Sequence, residues 1–519
     1  MTEKREHNLE DSKKEGLDKT LVESFTKQVA KGGGITFSGQ LTGKALKFLF
    51  QILLTRVLGA GAYGLYALGF NVVGTSQTFS TLGLHNAVVR FGSMYRSEGS
   101  DEKVKGTLIS ALVFSLLASI VGSVLIFSFA DFLSTELFNE PELTVVLKAF
   151  AFALPFYTWV MVLANSARAF KRMEYDVGLR LLLHPVLTLL GAGFAFGLGY
   201  GLLGVVYGFV FSSAFSALAG LGILWRLFPP LVSSIRPSFE PRTLLGYSLA
   251  VLMVGFAHLM LRRTDRFMLG ALGGARNVGI YNAAAVMATQ GALFLRSFNA
   301  IFSPIIAELH NQERKRELGQ LLKSTTKWIF ALTWPIFLIF LLFPKNIMSI
   351  FGPEFAAGWT VLVSLGLAQL VNASVGAVGY MLTMTGHQKL ELANSIILGL
   401  LNIGLNFILI QTYGILGAAV ATGVSLTLIN LVKLVEVYTI FKIHPYKFSY
   451  WKPIMAGAVA FGLTILIRKW FVFQGWLWLL AGLIFGVLYA VIYLSFGLAE
   501  EDRLVLRAVK MKLGLNSES

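Results

Sequence analysis

Apolar residues occur along this chain in long runs, separated by short breaks that contain glycine, proline and charged residues. A run of about 20 apolar residues is long enough to cross a lipid bilayer as an α-helix. We therefore predict an all-α polytopic membrane protein with about 14 transmembrane helices. The predicted spans lie near residues 34–58, 63–91, 106–129, 144–168, 177–199, 202–225, 243–269, 279–306, 323–343, 356–384, 391–411, 414–441, 453–470 and 476–497.

The composition leaves little chain for a soluble catalytic domain. Apolar residues make up 55% of the 519 residues and charged residues 14%, against about 25% charged in an average globular chain. The mean hydropathy is +0.68. The absence of cysteine excludes disulfides, thiolate metal sites and a cysteine nucleophile, and the histidines lack ligand spacing. We therefore predict a protein that is not an enzyme and that needs no metal or cofactor.

The distribution of charge predicts how the chain is inserted. The segment 1–31 carries seven cations and seven anions, a pattern that does not fit a cleavable signal peptide. The net charge of +16 therefore lies in the remainder, where cations occupy short alternate loops, and this favours a membrane over nucleic acid. By the positive-inside rule both termini are cytoplasmic, in a plasma-membrane protein. Residues 500–513 form a basic amphipathic stretch that we expect on the inner leaflet.

Three pairs of short motifs indicate an internal duplication. Tyr200–Gly204 recurs as Tyr413–Gly417, with an offset of 213 in the numbering. The other pairs have offsets of 215 and 217; they are Gly64–Tyr66 with Gly279–Tyr281 and Arg172–Glu174 with Lys389–Glu391. Because six spans is an even number, we predict two six-helix lobes with the same orientation, related by a pseudo-two-fold axis along the membrane normal. A cavity is expected between them, and the last two helices are appended.

These features divide the chain into six predicted segments. In order, they are a cytoplasmic tail (1–31), an N-lobe with spans 1–6 (32–226), a cytoplasmic linker (227–242), a C-lobe with spans 7–12 (243–442), spans 13 and 14 (443–499) and an amphipathic cytoplasmic tail (500–519).

Ionisable side chains within spans are costly and point to function. The first span carries polar residues on one helical stripe, and the seventh and eighth spans add further cations. We predict a cationic substrate-binding cavity formed by Lys44, Lys47, Arg262, Arg296, Gln40 and Gln51, with His258, Asp265 and Arg266 in gating or pairing roles. Structural ion pairs, and long side chains that reach the headgroups, remain the alternative.

Pairing within the membrane is predicted for the few carboxylates. Asp265 is expected to pair with Arg262 or Arg266, and Glu436 with Lys433. Lys44, Lys47 and Arg296 are then left without an obvious partner, and such cations persist at low cost only in a wet cavity or where a substrate supplies the anion.

Two segments resemble the signatures of polysaccharide-biosynthesis flippases, in the multidrug/oligosaccharidyl-lipid/polysaccharide exporter superfamily. They are Leu54–Gly59 with Tyr63–Tyr66 and, in the second lobe, Asp265–Gly270 with Val278–Tyr281. The resemblance covers essentially the whole chain. It implies a transporter that moves a lipid-linked oligosaccharide from the cytoplasmic to the outer leaflet by alternating access.

The predicted function is therefore to flip a polyprenyl-(di)phosphate-linked oligosaccharide for assembly of a surface polysaccharide or a protein-linked glycan. The predicted partners are that lipid, membrane lipids and glycan polymerase or transferase machinery, and nucleic acid is excluded. Two alternatives stay open. A multidrug antiporter of the same superfamily would favour acidic and aromatic cavity residues, and a polytopic glycosyltransferase or polymerase would need acidic residues in large outer loops.

Overall fold

The protein is helical throughout the part of the chain that the structure describes. The computed structural model describes residues 2–231, 233–470 and 476–497, except the side chains of 2–38, 257, 258, 261, 262, 300, 301, 304, 469 and 470. Within these ranges the helices are joined by short turns, and no β-strand occurs. The predicted all-α fold is confirmed. The predicted amphipathic tail at 500–519 lies outside the described residues, as do the side chains of the predicted N-terminal tail at 1–31.

The apolar helices account for the predicted membrane spans. Among the described residues, 11 helical segments are long and apolar enough to cross a membrane. Two of them, Gly39–Ser97 and Gln388–Phe441, have 59 and 54 residues and are each long enough for two spans. A further apolar stretch, Pro241–Phe256, belongs to a 33-residue helix. The structure is thus compatible with the predicted number of about 14 spans.

The chain forms two units whose boundaries are not those of the predicted lobes. Unit 1 comprises Met1–Leu53, Val72–Ser134 and Pro141–Phe256, and unit 2 comprises Leu54–Asn71, Thr135–Glu140 and Ala257–Ser519. Helices α1 (Thr2–Ser80) and α8 (Pro241–Gly273) contribute residues to both units. The predicted lobes, residues 32–226 and 243–442, therefore remain a prediction.

Unit 1 is built around a central helix. Its other helices are α2 (Leu84–Ser97), α3 (Asp101–Phe132), α4 (Leu143–Ala169), α5 (Met173–Asp176), α6 (His184–Gly197) and α7 (Gly201–Leu227), and a π-helical turn, Val177–Leu183, joins α5 to α6. Helix α4 packs against α2, α3 and α7, and apolar side chains from these helices form one buried cluster. Leu179 of the π-helical turn belongs to the same cluster, which packs the turn against these helices.

The segment between the predicted lobes is docked on unit 1. The Lys105 ammonium group is buried and donates to the carbonyl oxygen of Ser233 at 2.7 Å. Near the start of α8, the Glu240 carboxylate accepts from the Tyr95 hydroxyl at 2.7 Å and pairs with Lys103 at 3.0 Å. These contacts join the beginning of α8 to α2 and α3.

The Glu240 contacts predict a pH-dependent docking of this segment. The hydrogen bond from Tyr95 and the contact with Lys103 hold the pKa of Glu240 below its ordinary value of 4.5. A carboxyl with a lowered folded-state pKa stabilises the docked state above the unfolded pKa, and this contribution is lost as pH falls through the lowered value. We expect the amide protection of residues 233–240, measured by hydrogen exchange, to fall below pH 4.5. Glu240→Gln should remove this pH dependence, and unchanged pH dependence in that variant would contradict the assignment.

Unit 2 contains the remaining helices. They are α9 (Ala275–Ala288), α10 (Leu293–Asn311), α11 (Lys315–Leu342), α12 (Pro344–Met348), α13 (Trp359–Val375), α14 (Val378–Met384), α15 (Gln388–Phe441), α16 (Trp451–Trp470) and α17 (Leu477–Ser495). The two appended helices pack against α11. A Cβ atom at Gly457 of α16 would lie 2.1 Å from Trp334 Nε1, and the Tyr489 hydroxyl of α17 donates to the Ala331 carbonyl oxygen at 2.6 Å.

The duplication is visible in the backbone. Gly59 has φ 72° and ψ 178°, and Gly274, its counterpart in the second repeat, has φ 80° and ψ 169°. Both pairs of angles lie in a region that residues other than glycine rarely adopt. In the YGxLG motifs, Gly201 and Gly414 also match, with φ 52° and 55°. Equivalent glycines therefore break the helices at equivalent points of the two repeats.

Candidate functional site

The predicted cations of the first span lie beside the π-helical turn of unit 1. Gly39 and Gly43 of α1 face this turn so closely that a Cβ atom would lie 2.1 Å from Val177 Cγ1 and 2.8 Å from the Leu181 carbonyl oxygen, respectively. The absence of side chains at both positions lets α1 pack against the turn at close range. Lys47 lies one helical turn after Gly43 on nearly the same face of α1.

The π-helical turn presents a polar stripe that the sequence analysis missed. Arg180 pairs with the buried Asp176 through two hydrogen bonds, from Nε at 3.0 Å and from Nη2 at 3.2 Å. One turn later the His184 ring contacts the Ser213 hydroxyl at 3.1 Å, and Thr188 and Ser212 share a hydroxyl contact of 2.8 Å. The spacing of four between Asp176, Arg180, His184 and Thr188 was the signal in the sequence.

Lys47 adds a second positive charge to this cluster. Its side chain is exposed, on the face of α1 that packs against the turn, and its charge has the same sign as that of Arg180. Within the described ranges, Lys47 has no acidic partner at ion-pair distance. Lys44 and Gln40 are also exposed, and Gln51 is half-buried. We name Lys47, Arg180, Asp176 and His184 the unit 1 cationic cluster.

The charged residues of the seventh span have protein partners in unit 2. Asp265 is buried and accepts from the Tyr281 hydroxyl at 2.6 Å and from Arg266 Nη1 at 3.3 Å. Arg266 Nε donates to Asn282 Oδ1 at 2.9 Å, and Asn282 Nδ2 donates to the Tyr63 hydroxyl at 2.7 Å. The predicted pairing of Asp265 with Arg266 is confirmed. We name these five residues the unit 2 polar network.

Other arginines of unit 2 bind backbone carbonyl groups. Arg263 Nη1 donates to the Asn71 carbonyl oxygen at 2.8 Å, and Arg56 Nε donates to that of Ile350 at 2.8 Å. Arg296 is exposed. The side chains of His258 and Arg262, two of the predicted site residues, lie outside the described residues.

The two signature motifs pack against each other within unit 2. A Cβ atom at Gly64 would lie 1.8 Å from the Ala275 carbonyl oxygen, and one at Gly279 would lie 2.3 Å from that of Ala60. The offset that relates Ala60 to Ala275 is the same as the one that relates Gly64 to Gly279. Reciprocal contacts of this kind are produced by a two-fold axis. The motifs of the predicted duplication therefore meet at a local pseudo-two-fold axis.

One predicted pairing in the twelfth span is wrong. Lys433 pairs with Glu391 at 2.5 Å, and Glu436 instead accepts from Asn394 Nδ2 at 2.8 Å. The reason is that α15 is broken at Gly414, so its two halves pack against each other. Side chains 42 residues apart, on different halves, therefore lie closer together than Lys433 and Glu436, which are on the same half. Among the described residues, no group of three or more His, Asp or Glu side chains could hold a metal ion.

The sequence matches a family of known proteins. Residues 29–310 match the family model described as polysaccharide biosynthesis protein, which is more than half of the chain. The chain belongs to this family. The match includes both signature motifs, so it confirms the resemblance drawn from them.

Two relatives come from the archaeon Haloferax volcanii. The probable low-salt glycan biosynthesis flippase Agl15 is 25% identical over 398 residues, which cover 75% of this chain and 79% of that protein. The probable flippase AglR is 22% identical over 404 residues, with coverage of 77% and 82%. The capsular polysaccharide biosynthesis protein CapF of Staphylococcus aureus is 28% identical over 178 residues, 34% of this chain and 44% of CapF.

Solved structures show the same fold. The lipid II flippase MurJ in an inward closed conformation superposes with a TM-score of 0.68 at 15% identity, covering 90% of this chain and 98% of MurJ. An inward-facing multidrug resistance MATE family transporter has a TM-score of 0.64 at 16% identity, covering 77% and 94%. This member of the polysaccharide biosynthesis protein family is therefore a multi-pass membrane protein with the fold of these transporters.

Proposed function

We propose that the protein flips a lipid-linked oligosaccharide, carried on a polyprenyl phosphate or diphosphate, from the cytoplasmic to the outer leaflet. The observation that carries the proposal is the unit 1 cationic cluster. In it the exposed Lys47 lies on the face of α1 that packs against the turn containing Arg180, and it has no acidic partner of its own among the described residues. Two neighbouring cations in a low-dielectric environment are costly unless an anion joins them. A phosphate headgroup supplies that anion, and its lipid tail can stay in the bilayer.

The family and its named relatives support a transporter over the two alternatives. Agl15 and AglR are described as probable flippases, and MurJ as a lipid II flippase. A multidrug antiporter for organic cations would be disfavoured by positive charge at the site. A glycosyltransferase or polymerase would require acidic catalytic residues, and the buried Asp176 and Asp265 are occupied by arginines.

The proposed cycle rocks residues 34–226 against residues 243–442, so that the headgroup is exposed to each side in turn. Moving two phosphate charges outward along an inside-negative potential of about 100 mV would release about 4.6 kcal/mol. We further propose that the protein resides in the plasma membrane with both termini in the cytoplasm, and that it supplies glycan polymerase or transferase machinery.

Lys47→Ala tests the proposal. A charge-assisted hydrogen bond contributes about 1.5–3 kcal/mol, so the variant should bind the headgroup about tenfold more weakly or worse. Binding of a fluorescent polyprenyl diphosphate disaccharide to purified protein is measured at low salt, and its flipping is measured in proteoliposomes. Lys389→Ala, which removes an exposed lysine at the start of α15, is the matched control. Equal affinities of folded Lys47→Ala and wild type would overturn the assignment of this site.

The predicted roles of Arg262, Arg296, Lys44, Gln40 and Gln51 in binding the headgroup remain proposals. Arg262→Lys should restore only part of the binding lost in Arg262→Ala, because lysine keeps the charge but lacks the planar guanidinium fork. Full restoration would indicate that charge alone matters at this position.

A further inference from the structure

Arg180 is held in a way that leaves part of its guanidinium group available. Its side chain is 36% exposed, whereas that of its partner Asp176 is 6% exposed. Asp176 occupies Nε and one hydrogen of Nη2. A guanidinium group has five N–H donors in a rigid plane, and the described residues give Arg180 no second acceptor. Three donors therefore remain on the exposed side.

The surrounding backbone fixes where this free edge lies. Arg180 belongs to the seven-residue π-helical turn. Such turns are rare in proteins, and those that occur are often located at functional sites. The close approach of Gly39 and Gly43 sets the register between α1 and the turn, because neither glycine could carry a Cβ atom without displacing the other segment. This register places the face of α1 that carries Gly39, Gly43 and, one turn later, Lys47 beside the turn that contains Arg180.

The same register creates an electrostatic cost that a ligand could remove. Lys47 and Arg180 carry like charges, and Asp176 neutralises only one of them. Arginine binds phosphate through two parallel hydrogen bonds, and a buried carboxylate behind it fixes the plane of the fork.

We propose that Arg180 is a phosphate-binding residue of the headgroup site and that Asp176 is its positioning residue. The inference rests on the proposed function, since it assigns to Arg180 the same anionic headgroup as Lys47. It adds a second wall to the site, formed by the π-helical turn. The ligand class is a phosphate monoester, a phosphate diester or a diphosphate attached to a lipid.

The Asp176→Asn variant tests whether Asp176 positions the Arg180 guanidinium group or acts only through its negative charge. If Asp176 acted only through its negative charge, the neutral variant would bind an anion more tightly. If it positions Arg180, the guanidinium plane is less well fixed and binding becomes about threefold to tenfold weaker. Asp176→Glu, which keeps the carboxylate, should recover part of the loss. The direction of the change in affinity therefore decides between the two roles.

The experiment measures binding of a short-chain polyprenyl diphosphate, the matching monophosphate and the matching alcohol to the purified full-length protein in detergent. Arg180→Ala should weaken binding of both phosphates about tenfold or more and leave the alcohol unchanged. Arg180→Lys should recover part of that loss. Arg172→Ala, which breaks the exposed pair with Glu174, is the matched control and should bind as wild type.

The outcomes for this inference and for the proposed function can be told apart. Wild-type affinity in Arg180→Ala together with weak binding in Lys47→Ala would overturn the role of Arg180 and leave the proposed function standing. Wild-type affinity in both variants would overturn the headgroup site itself. Tighter binding in Asp176→Asn would overturn the positioning role. If Asp176→Asn does not fold, the Arg180→Lys and Asp176→Glu variants carry the test.

Discussion

Gly64→Ala is expected to separate the two signature motifs of unit 2. The added Cβ atom would lie 1.8 Å from the Ala275 carbonyl oxygen, which belongs to the backbone and cannot rotate away. Overpacking of this kind costs about 1–3 kcal/mol. In a rocking transporter the cost applies only to the state in which this contact is closed, so the population should shift to other states.

The chain offers a direct measurement of that shift because it contains no cysteine. Ala60, which is fully buried at the same contact, can be replaced by cysteine as the only thiol. We expect Gly64→Ala to raise the rate of maleimide labelling at this cysteine about fivefold or more, and to slow flipping by a similar factor.

Gly61→Ala is the matched control. Gly61 lies on the same helix as Gly64, and nothing lies within 4 Å of the position where its Cβ atom would be. It should label and flip as the parent does. Gly279→Ala should reproduce Gly64→Ala, because its Cβ atom would lie 2.3 Å from the Ala60 carbonyl oxygen. If the cysteine at position 60 were labelled no faster in Gly64→Ala and Gly279→Ala than in the parent, this result would contradict a contact that opens during the transport cycle.

Asp265→Ala is expected to cause the largest loss of stability. It removes the counter-charge of Arg266 and leaves the Tyr281 hydroxyl without its acceptor. Breaking a buried pair costs about 3–5 kcal/mol because an uncompensated charge remains. The thermal midpoint of the purified protein should fall by about 3–5 °C.

Two further variants identify the physical cause. Asp265→Ala combined with Arg266→Met should recover part of the loss, since no unpaired charge is left. Tyr281→Phe removes a single hydrogen bond to a charged acceptor and should cost about 1.5–3 kcal/mol.

Glu354→Gln is the control for the Asp265 series. It breaks the exposed pair with Arg276, in which the charged atoms lie 3.6 Å apart, and it should cost at most about 1 kcal/mol. A thermal midpoint in Asp265→Ala that matches the one in Glu354→Gln would show that the unit 2 polar network contributes little to stability.

The two units use their cations differently, and this difference bears on function. In unit 2, Arg266, Arg263 and Arg56 donate to protein acceptors, which explains how the membrane part tolerates them. In unit 1, Lys47 lies on the face of α1 that packs against the turn containing Arg180, and Asp176 can neutralise only one of these two charges. Arg266 therefore fits the alternative that membrane cations form structural ion pairs. For Lys47, the hypothesis that it binds the substrate headgroup is better supported.

The sequence by itself determined the all-α membrane fold and the duplication. Both depend on local information, because a run of about 20 apolar residues predicts a span wherever it occurs. The matched glycines are equally local, since a backbone angle that requires glycine leaves the same residue in each repeat, as at Gly59 and Gly274. The pairing of Asp265 with the adjacent Arg266 was predictable for the same reason.

Only the tertiary structure decided which charges are satisfied by distant partners. Lys433 pairs with Glu391, far away along the chain, because α15 bends at Gly414 and brings its two arms together. Arg180 was not predicted as a site residue, although its spacing of four from Asp176 is visible in the sequence. Its position beside α1 appears only when α1 packs its glycines against the π-helical turn. Pairing energies in a membrane depend on distance and burial, and neither quantity is encoded in the spacing of residues along the chain.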